Sequence, residues 1–119
     1  AEAAGIPRED IVIDCLAMAV GADSSSGVNT LEAIRRIKSE LGINITLGAS
    51  NVSFGLPERE VVNFAYLSLV IAAGATCLIV DAAKARPTIL ATDLLLARDR
   101  FARRYVGAYR QRLREAGQG

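Results

Sequence analysis

The chain has 119 residues, which is enough for one domain with a core of its own. Apolar residues make up 51% and charged residues 23%, a balance that excludes a disordered chain, and the net charge is only +1. His is absent, so the commonest general base and metal ligand of enzymes is missing. No metal site is therefore expected, and any chemistry must use carboxylates, amides, hydroxyls, the backbone or the substrate.

The first predicted strand covers residues 11–16 and reads IVIDCL, with Asp14 as its only charged residue. Because an unpaired carboxylate is costly to bury, Asp14 is expected to face hydrogen-bond donors. A planar ligand that offers an N–H and an amino group would satisfy it, and a cap or a salt bridge is the alternative. Asp14 is therefore a candidate binding residue.

A helix is predicted after the Gly- and Ser-rich loop at residues 21–27. Asn29 is expected to cap this helix, with Glu32 reaching back to the cap. Gly42 is expected to end it. Apolar residues recur on one face, which is typical of a helix packed on a sheet.

The most informative segment covers residues 48–63, GASNVSFGLPEREVVN. It joins a predicted strand at residues 43–48 to a helix that is expected to begin at Pro57 and end before Gly74. This second helix is apolar on most sides, so it is expected to be heavily buried.

The turn between that strand and helix carries the candidate site. Gly48, Ser50, Asn51 and Ser53 follow the carboxyl end of the strand, where α/β folds build ligand sites. An Asn donates and accepts hydrogen bonds without a charge, and glycine and serine let a flat ring approach the backbone. A polar loop with an Asx turn is the alternative. Arg59 is unfavourably placed for the helix dipole and is predicted either to reach an anionic ligand tail or to be an ordinary surface residue.

The third predicted strand covers residues 76–80 and closes on Asp81, for which a loop or helix-start role is expected. The Arg86–Pro87 pair is expected to break the chain before a long helical region that reaches about Glu115. A kink or split of this region is expected near Gly107.

Cys15 and Cys77 lie in the first and third predicted strands, and both are expected to be small buried core residues. Neither a disulfide framework nor CxxC metal spacing is present, which fits a reducing, cytoplasmic setting. The longest apolar stretch is too short for a membrane span, and no signal peptide is apparent. Position 1 is Ala, so either the native start has been removed or the chain is a piece of something longer.

Charge is unevenly distributed along the chain. Residues 1–83 carry five Lys or Arg and ten Asp or Glu, whereas residues 84–119 carry nine and three. The basic segment indicates either a solvated terminal helix or a surface for nucleic acid or an acidic protein. Since no interleaved aromatic pattern and no nucleic-acid motif is apparent, nucleic-acid binding is not expected.

Three successive strand–helix units predict an α/β fold with a parallel sheet. A dinucleotide-binding sheet would require GxGxxG after the first strand, and this chain has none. A (β/α)8 TIM barrel needs roughly 250 residues, so three units are somewhat less than half of one. Three strands alone would leave two open edges.

Four segments of the chain resemble the pterin-binding methyltransferases, and methyltetrahydrofolate:corrinoid methyltransferase is the nearest member. They are VIDCLAMAVGAD at residues 12–23, TLEAIRRIKSELG at 30–42, TLGASNVSFGLPERE at 46–60 and AAGATCLIVDAA at 72–83. The resemblance weakens after residue 83. Cobalamin-dependent methionine synthase shares the SNVSF core but usually departs from the GLPxR continuation, and dihydropteroate synthase is more distant.

The resemblance implies a (β/α)8 barrel in which the pterin lies at the carboxyl ends of the strands, with residues 1–119 forming about the last three units. It implies that Asp14 binds the pterin ring and that Asn51 approaches N5 and supports methyl departure. It also matches Arg59 to an arginine associated with the polar end of the folate. The chain departs from the family at Cys15, where Pro is common, and by lacking an earlier Asp and Asn supplied by the first half of the barrel.

The function that the resemblance implies is transfer of the N5-methyl group of methyltetrahydrofolate to cobalt(I) of a corrinoid carried by a partner protein. The expected partners are a folate and a corrinoid protein, with homo-oligomer formation and without nucleic acid or membrane. The alternative is a non-catalytic, truncated half-barrel that acts as an oligomerising or partner-completing module. A third hypothesis is a nucleic-acid or acidic-protein binder that uses the Arg-rich C-terminal segment.

Overall fold

The computed structural model describes residues 2–118, which form three strands and four α-helices in alternating order up to the last helix. Their bounds are β1 Val12–Asp14, α1 Ser26–Leu41, β2 Asn44–Gly48, α2 Arg59–Ala73, β3 Cys77–Ile79, α3 Ala82–Leu95 and α4 Arg103–Gln118. Among the described residues, no helix combines the length and the apolar character that crossing a membrane requires.

The three strands form one parallel sheet in the order β1–β2–β3. Val12 pairs with Asn44, and Thr46 pairs with both Asp14 and Cys77. The predicted parallel α/β arrangement is therefore confirmed for these units. Each strand is shorter than predicted: β2 lacks only its first predicted residue, whereas β1 and β3 are shorter at both ends.

The two faces of the sheet differ in what covers them. Ile45 and Leu47 of β2 are 0% exposed and belong to a core that also includes Ile34 of α1 and Val70 of α2. Because side chains alternate along a strand, the residues between them point to the other face. That second face is uncovered in this chain, and its members are exposed or half-buried: Val12, Asp14, Asn44, Thr46, Gly48, Cys77 and Ile79.

The uncovered face overturns part of the cysteine prediction. Cys15 is half-buried and packs against the core, but Cys77 is exposed. The apolar sequence around Cys77 indicated a strand correctly. It did not reveal on which face of the sheet the side chain lies. Helices cover only one face of the three strands, and Cys77 lies on the other.

Helix α1 begins earlier than predicted. Its N-cap is Ser25, not Asn29, and the Ser25 side chain makes no capping hydrogen bond. Asp23 fixes this start by accepting hydrogen bonds from the backbone N–H and the hydroxyl of Ser25, at 3.0 and 2.7 Å. Asn29 and Glu32 therefore lie inside the helix. The predicted end is confirmed, since Gly42 adopts the left-handed conformation at φ 64°.

Helix α2 begins at Arg59, two residues after Pro57, because Glu58 adopts a left-handed φ of 50° and delays the first turn. It ends before Gly74, as predicted. Its burial is less complete than predicted: Tyr66, Leu67, Val70, Ile71 and Ala73 are buried, whereas Val61 and Leu69 are exposed. An apolar sequence on most sides of a helix does not ensure that every side has a neighbour.

The chain divides into two compact units, with Asp81 the last residue of the first and Ala82 the first of the second. In the second unit, α3 continues through Pro87, so the predicted break at Arg86–Pro87 is wrong. A proline here removes one main-chain hydrogen bond, and the helix continues despite that loss. The chain bends instead at Ala97 and Phe101, both with positive φ. Helix α4 runs through Gly107 without the predicted split.

In the second unit, three arginines lie over aromatic rings, although no pattern of interleaved basic and aromatic residues was apparent in the sequence. Arg100 and Arg103 lie over the Phe101 ring at 5.8 and 5.9 Å from its centroid, and Arg112 lies 6.0 Å from that of Tyr109. Asp99 stabilises the first turn of α4, because its carboxylate accepts hydrogen bonds from the backbone N–H groups of Arg104 and Tyr105, each at 3.0 Å.

Candidate functional site

The two polar residues that the sequence analysis ranked highest lie at or just after the carboxyl ends of the neighbouring strands β1 and β2. Asp14 is the last residue of β1 and is in register with Thr46, two residues before the end of β2. Asn51 lies in a short 3-10 helix, Ala49–Ser53, directly after β2. Since β1 and β2 are neighbouring parallel strands, both residues lie at the same edge of the sheet.

Asp14 is exposed, which contradicts the expectation that it is buried among apolar residues. The reason is the alternation of β1, which places Asp14 on the uncovered face. Its Oδ1 accepts a hydrogen bond from the backbone N–H of Leu16 at 2.9 Å, and its Oδ2 has no hydrogen bond to the residues that the structure describes. Leu16 is held at φ 48° and is 65% exposed. Strained backbone beside an open carboxylate is typical of a ligand site.

Asn51 is exposed, and Gly48 gives its side chain room to approach the sheet. A Cβ on Gly48 would lie 3.8 Å from Asn51 Nδ2, so the amide lies close to the uncovered face at the end of β2. The amide makes no hydrogen bond within residues 2–118, and both its donor and its acceptor are available for a ligand.

The loops that follow β1 and β2 are bonded to each other. The backbone N–H of Val20 donates to the carbonyl of Val52 at 3.0 Å. A Cβ on Gly21 would lie 3.4 Å from Leu56 and 3.5 Å from the carbonyl oxygen of Phe54, so these segments are in close contact. The loop after Asp14 and the loop around Asn51 therefore form one connected structure.

Ser53 is 0% exposed, and its hydroxyl is used inside the protein. It donates to the carbonyl of Ser50 at 3.1 Å and accepts from Arg59 Nε at 3.0 Å. Arg59 Nη2 also donates to the Ser50 carbonyl at 3.0 Å. This geometry does not support direct substrate binding by Ser53, and it turns part of the Arg59 guanidinium toward the loop. Ser50 itself is exposed.

Three further residues adjoin the site and were not singled out from the sequence. Thr46 and Cys77 form one row with Asp14 across the uncovered face. Phe54 is 69% exposed and has the Arg59 guanidinium 5.8 Å from its ring centroid. Since every second residue of a strand lies on the same face, the position of Gly48 could have identified Thr46 on β2, and the alignment of the third strand could have identified Cys77. No sequence signal indicated the exposure of Phe54.

The site offers a carboxylate, a neutral amide and aromatic and apolar surface. Within residues 2–118, no cluster of three or more Cys, Asp or Glu side chains could hold a metal ion. Burial and the neighbouring Asp14 charge raise the pKa of the Cys15 thiol, which keeps it protonated near neutral pH. The arrangement suits hydrogen bonding to a flat, polar heterocycle.

This α/β unit, with polar groups at the carboxyl ends of parallel strands, has the organisation of a small-molecule binding domain. Residues 1–81 match the family model described as pterin binding enzyme. The chain belongs to this family, as the sequence analysis predicted. The match ends at Asp81, the last residue of the first compact unit.

Individual relatives support the same assignment. Over 111 residues the chain is 39% identical to the methylcorrinoid:tetrahydrofolate methyltransferase of Eubacterium limosum, covering 85% of this chain and 38% of that protein. It is also 39% identical over 90 residues to the methionine synthases of Mycobacterium leprae and Mycobacterium tuberculosis, covering 70% of this chain and 8% of each synthase. The chain thus spans well under half the length of these curated relatives.

Proposed function

We propose that this chain forms the pterin-binding part of a methyltransferase that moves a methyl group between N5 of tetrahydrofolate and the cobalt of a corrinoid held by a partner protein. The observation that carries the proposal is the position of Asn51, whose free amide lies against the Gly48 end of β2 in a family that binds pterins. The printed names of the relatives support the methyl-transfer chemistry.

Asn51 is the proposed catalytic residue. A methyl group on a tertiary amine is a poor electrophile until N5 gains positive charge. A neutral amide at N5 can accept a hydrogen bond from the protonated amine and so favour this reactive form, in which N5 keeps its proton and leaves as a neutral amine when the methyl group is transferred. Groups positioned in this way contribute on the order of 10²–10³ in rate.

Asp14 is the proposed ring-binding residue. Its open Oδ2 and the remaining lone pair of Oδ1 can accept hydrogen bonds from a ring N–H and an exocyclic amino group. Gly48 and Ser50 contribute the close approach of the backbone to the ring. Because Asp14 binds the substrate before and after transfer, its loss should raise KM more than it lowers kcat.

The direction of transfer is not fixed by these residues. Forward and reverse reactions share one transition state, so Asn51 serves both. The corrinoid supplies the cobalt that accepts or donates the methyl group. The cobalt must reach N5 from the side of the site that the sheet does not cover.

Completion of a (β/α)8 barrel is part of the proposal. The sheet keeps one face uncovered, and β1 and β3 each have an open edge, as expected for a section of a closed barrel. Further strands would supply the remaining pterin ligands and form the other wall of the site. Formation of a homo-oligomer and a reducing, cytoplasmic setting, consistent with the free cysteines Cys15 and Cys77, belong to the same proposal.

The test compares Asn51→Ala and Asp14→Asn in the full-length gene product. Binding of methyltetrahydrofolate is measured by calorimetry, and methyl transfer to cobalt(I) is followed by the absorbance of the corrinoid. Asn51→Ala should lower kcat by about 10²-fold with little change in Kd. Asp14→Asn should weaken binding.

Arg35→Ala is the matched control, since Arg35 is exposed on α1 away from these loops. It should leave both parameters unchanged. Equal transfer rates for Asn51→Ala and the unmodified protein would remove Asn51 from the mechanism. A folded protein that neither binds folate nor transfers methyl would overturn the proposed function.

The uncovered sheet face also favours a second candidate function, a non-catalytic module that completes another subunit or associates with itself. Val12 and Ile79 are large apolar residues that this face exposes, at 53% and 65%. Sedimentation of the 119-residue chain distinguishes the candidates. A defined oligomer without folate binding supports the module, whereas saturable folate binding supports the methyltransferase.

A further inference from the structure

Arg59 makes all its described contacts with the segment that carries Asn51. Its Nε donates to Ser53 Oγ, its Nη2 donates to the Ser50 carbonyl, and its guanidinium lies over the Phe54 ring. Ser50 directly precedes Asn51 in sequence, and Ser53 follows it by two residues. The guanidinium therefore acts as a clamp across the turn of the 3-10 helix Ala49–Ser53.

The partner hydroxyl of this clamp is buried and fixed. Ser53 is 0% exposed and donates to the same Ser50 carbonyl that accepts from Arg59. Three hydrogen bonds thus close a ring through Arg59, Ser53 and Ser50. A planar fork with several N–H donors can make both Arg59 contacts at once, whereas a lysine ammonium lacks that shape.

The position of Arg59 in its helix points to the same role. A cation at the first residue of a helix meets the positive end of the helix dipole, which is unfavourable. Glu58 adopts a left-handed φ of 50° just before it. The clamp accounts for an arginine in an electrostatically poor place after a strained residue.

We propose that Arg59 is a positioning residue for methyl transfer, which fixes the turn that presents Asn51 to N5, rather than a ligand for the anionic end of the folate. The proposal rests on the proposed function and deepens it. It replaces the role that the sequence resemblance implied for Arg59. A displacement of about 1 Å at a reacting group can cost on the order of 10²-fold in rate.

The experiment compares Arg59→Lys and Arg59→Ala in the full-length gene product with two substrates. One is 5-methyltetrahydrofolate, and the other is a 5-methyltetrahydropterin that lacks the benzoylglutamate tail. Both variants should lower kcat by about 10²-fold on both substrates, with KM for the tailed substrate nearly unchanged. Lysine keeps the charge but not the two-point contact, so it should not rescue kcat.

Ser53→Ala provides a second route to the same clamp. It removes the buried hydroxyl without changing the charge, and it should lower kcat on both substrates while circular dichroism and the melting temperature report a folded protein. This variant keeps the proposal testable if Arg59→Ala does not fold. Arg35→Ala controls for loss of one positive charge on a neighbouring helix.

Two results would overturn the proposal. One is retained kcat in Arg59→Lys with a raised KM for the tailed substrate alone, which identifies Arg59 as a tail ligand. The other is unchanged kcat in Ser53→Ala. If the unmodified protein transfers no methyl group, the proposed function fails separately. Amide hydrogen exchange over residues 50–54 then tests the clamp: faster exchange in Arg59→Lys supports it, and unchanged exchange overturns it.

Discussion

The Nδ2 atom of Asn51 lies 3.8 Å from the point where a Cβ would extend from Gly48. This distance is an ordinary van der Waals contact, so an alanine fits beside the amide. Because the Asn51 amide lies beside the Gly48 backbone, we expect a side chain that extends beyond Cβ at this position to displace the amide, which can be tested directly.

Gly48→Val should reduce methyl transfer by about 10²-fold, because its γ-carbons would displace the Asn51 amide by about 1 Å. Gly48→Ala should keep most of the activity. Since valine favours strands more than glycine does, the melting temperature of the Gly48→Val protein should stay the same or rise. Equal activity of the two variants, measured by corrinoid absorbance, would contradict the steric explanation.

Gly74→Ala should lower the free energy of unfolding by about 1–3 kcal/mol. Gly74 has a φ of 129°, and an added Cβ would lie 2.9 Å from Lys38 Cγ. Gly107→Ala is the opposite case, since Gly107 lies inside α4 with nothing within 4 Å of an added Cβ. That change should stabilise α4 by about 1 kcal/mol. Urea unfolding of both variants checks the contrast.

Stability of the second unit should fall in acid partly through Asp99. Hydrogen bonds from the backbone N–H groups of Arg104 and Tyr105, with the Arg104 charge, hold the pKa of the Asp99 carboxyl below its ordinary value. The unfolded chain binds this proton at about pH 3.9, so the stabilisation is present above that pH and is lost as pH falls through the folded-state pKa.

Asp99→Asn should therefore lower the melting temperature at pH 7 and reduce its further decline toward pH 3. Asp10→Asn removes the same charge from an exposed position and should leave the pH profile unchanged. Melting curves followed by circular dichroism at several pH values make the comparison. Parallel profiles for the Asp99→Asn and unmodified proteins would show that this carboxylate contributes nothing to acid sensitivity.

Cys77 should react with a thiol reagent faster than Cys15 in the 119-residue chain at pH 7.5. Cys77 is exposed, whereas Cys15 is half-buried and its pKa is raised by burial and by the charge of Asp14. The difference should narrow as pH rises and the Cys15 thiolate forms. Cys77→Ser and Cys15→Ser assign the two phases, and a slow Cys77 phase would mean that another surface covers this face.

Much of this fold could be predicted from local sequence. Strands alternating with helices indicated parallel pairing, and Gly42 and Gly74 marked the ends of two helices because their conformations suit glycine. Asp14 and Asn51 were proposed as site residues from their place after strands and from family motifs, and the structure places each at or just after the carboxyl end of a strand. These signals depend on neighbours in the chain.

The errors concern what covers each side chain, and this depends on residues distant in sequence. Cys77 and Asp14 are in apolar strands but on the face without helices, so their exposure could not be inferred from composition. Pro87 continues a helix where a break was expected. The hydrogen bonds of Arg59 to Ser53 and Ser50 could not be inferred either, since they depend on how the turn after β2 folds back on the start of α2.

The spacing of the strand pairs has a consequence for how the chain folds. Val12 pairs with Asn44 and Thr46 pairs with Cys77, at sequence separations of 32 and 31 residues. The entropy lost on closing the two loops is nearly equal, so chain length favours neither pairing. Because β2 takes part in both and contributes the fully buried Ile45 and Leu47, we expect β2 to nucleate folding, with β1 and β3 adding in either order.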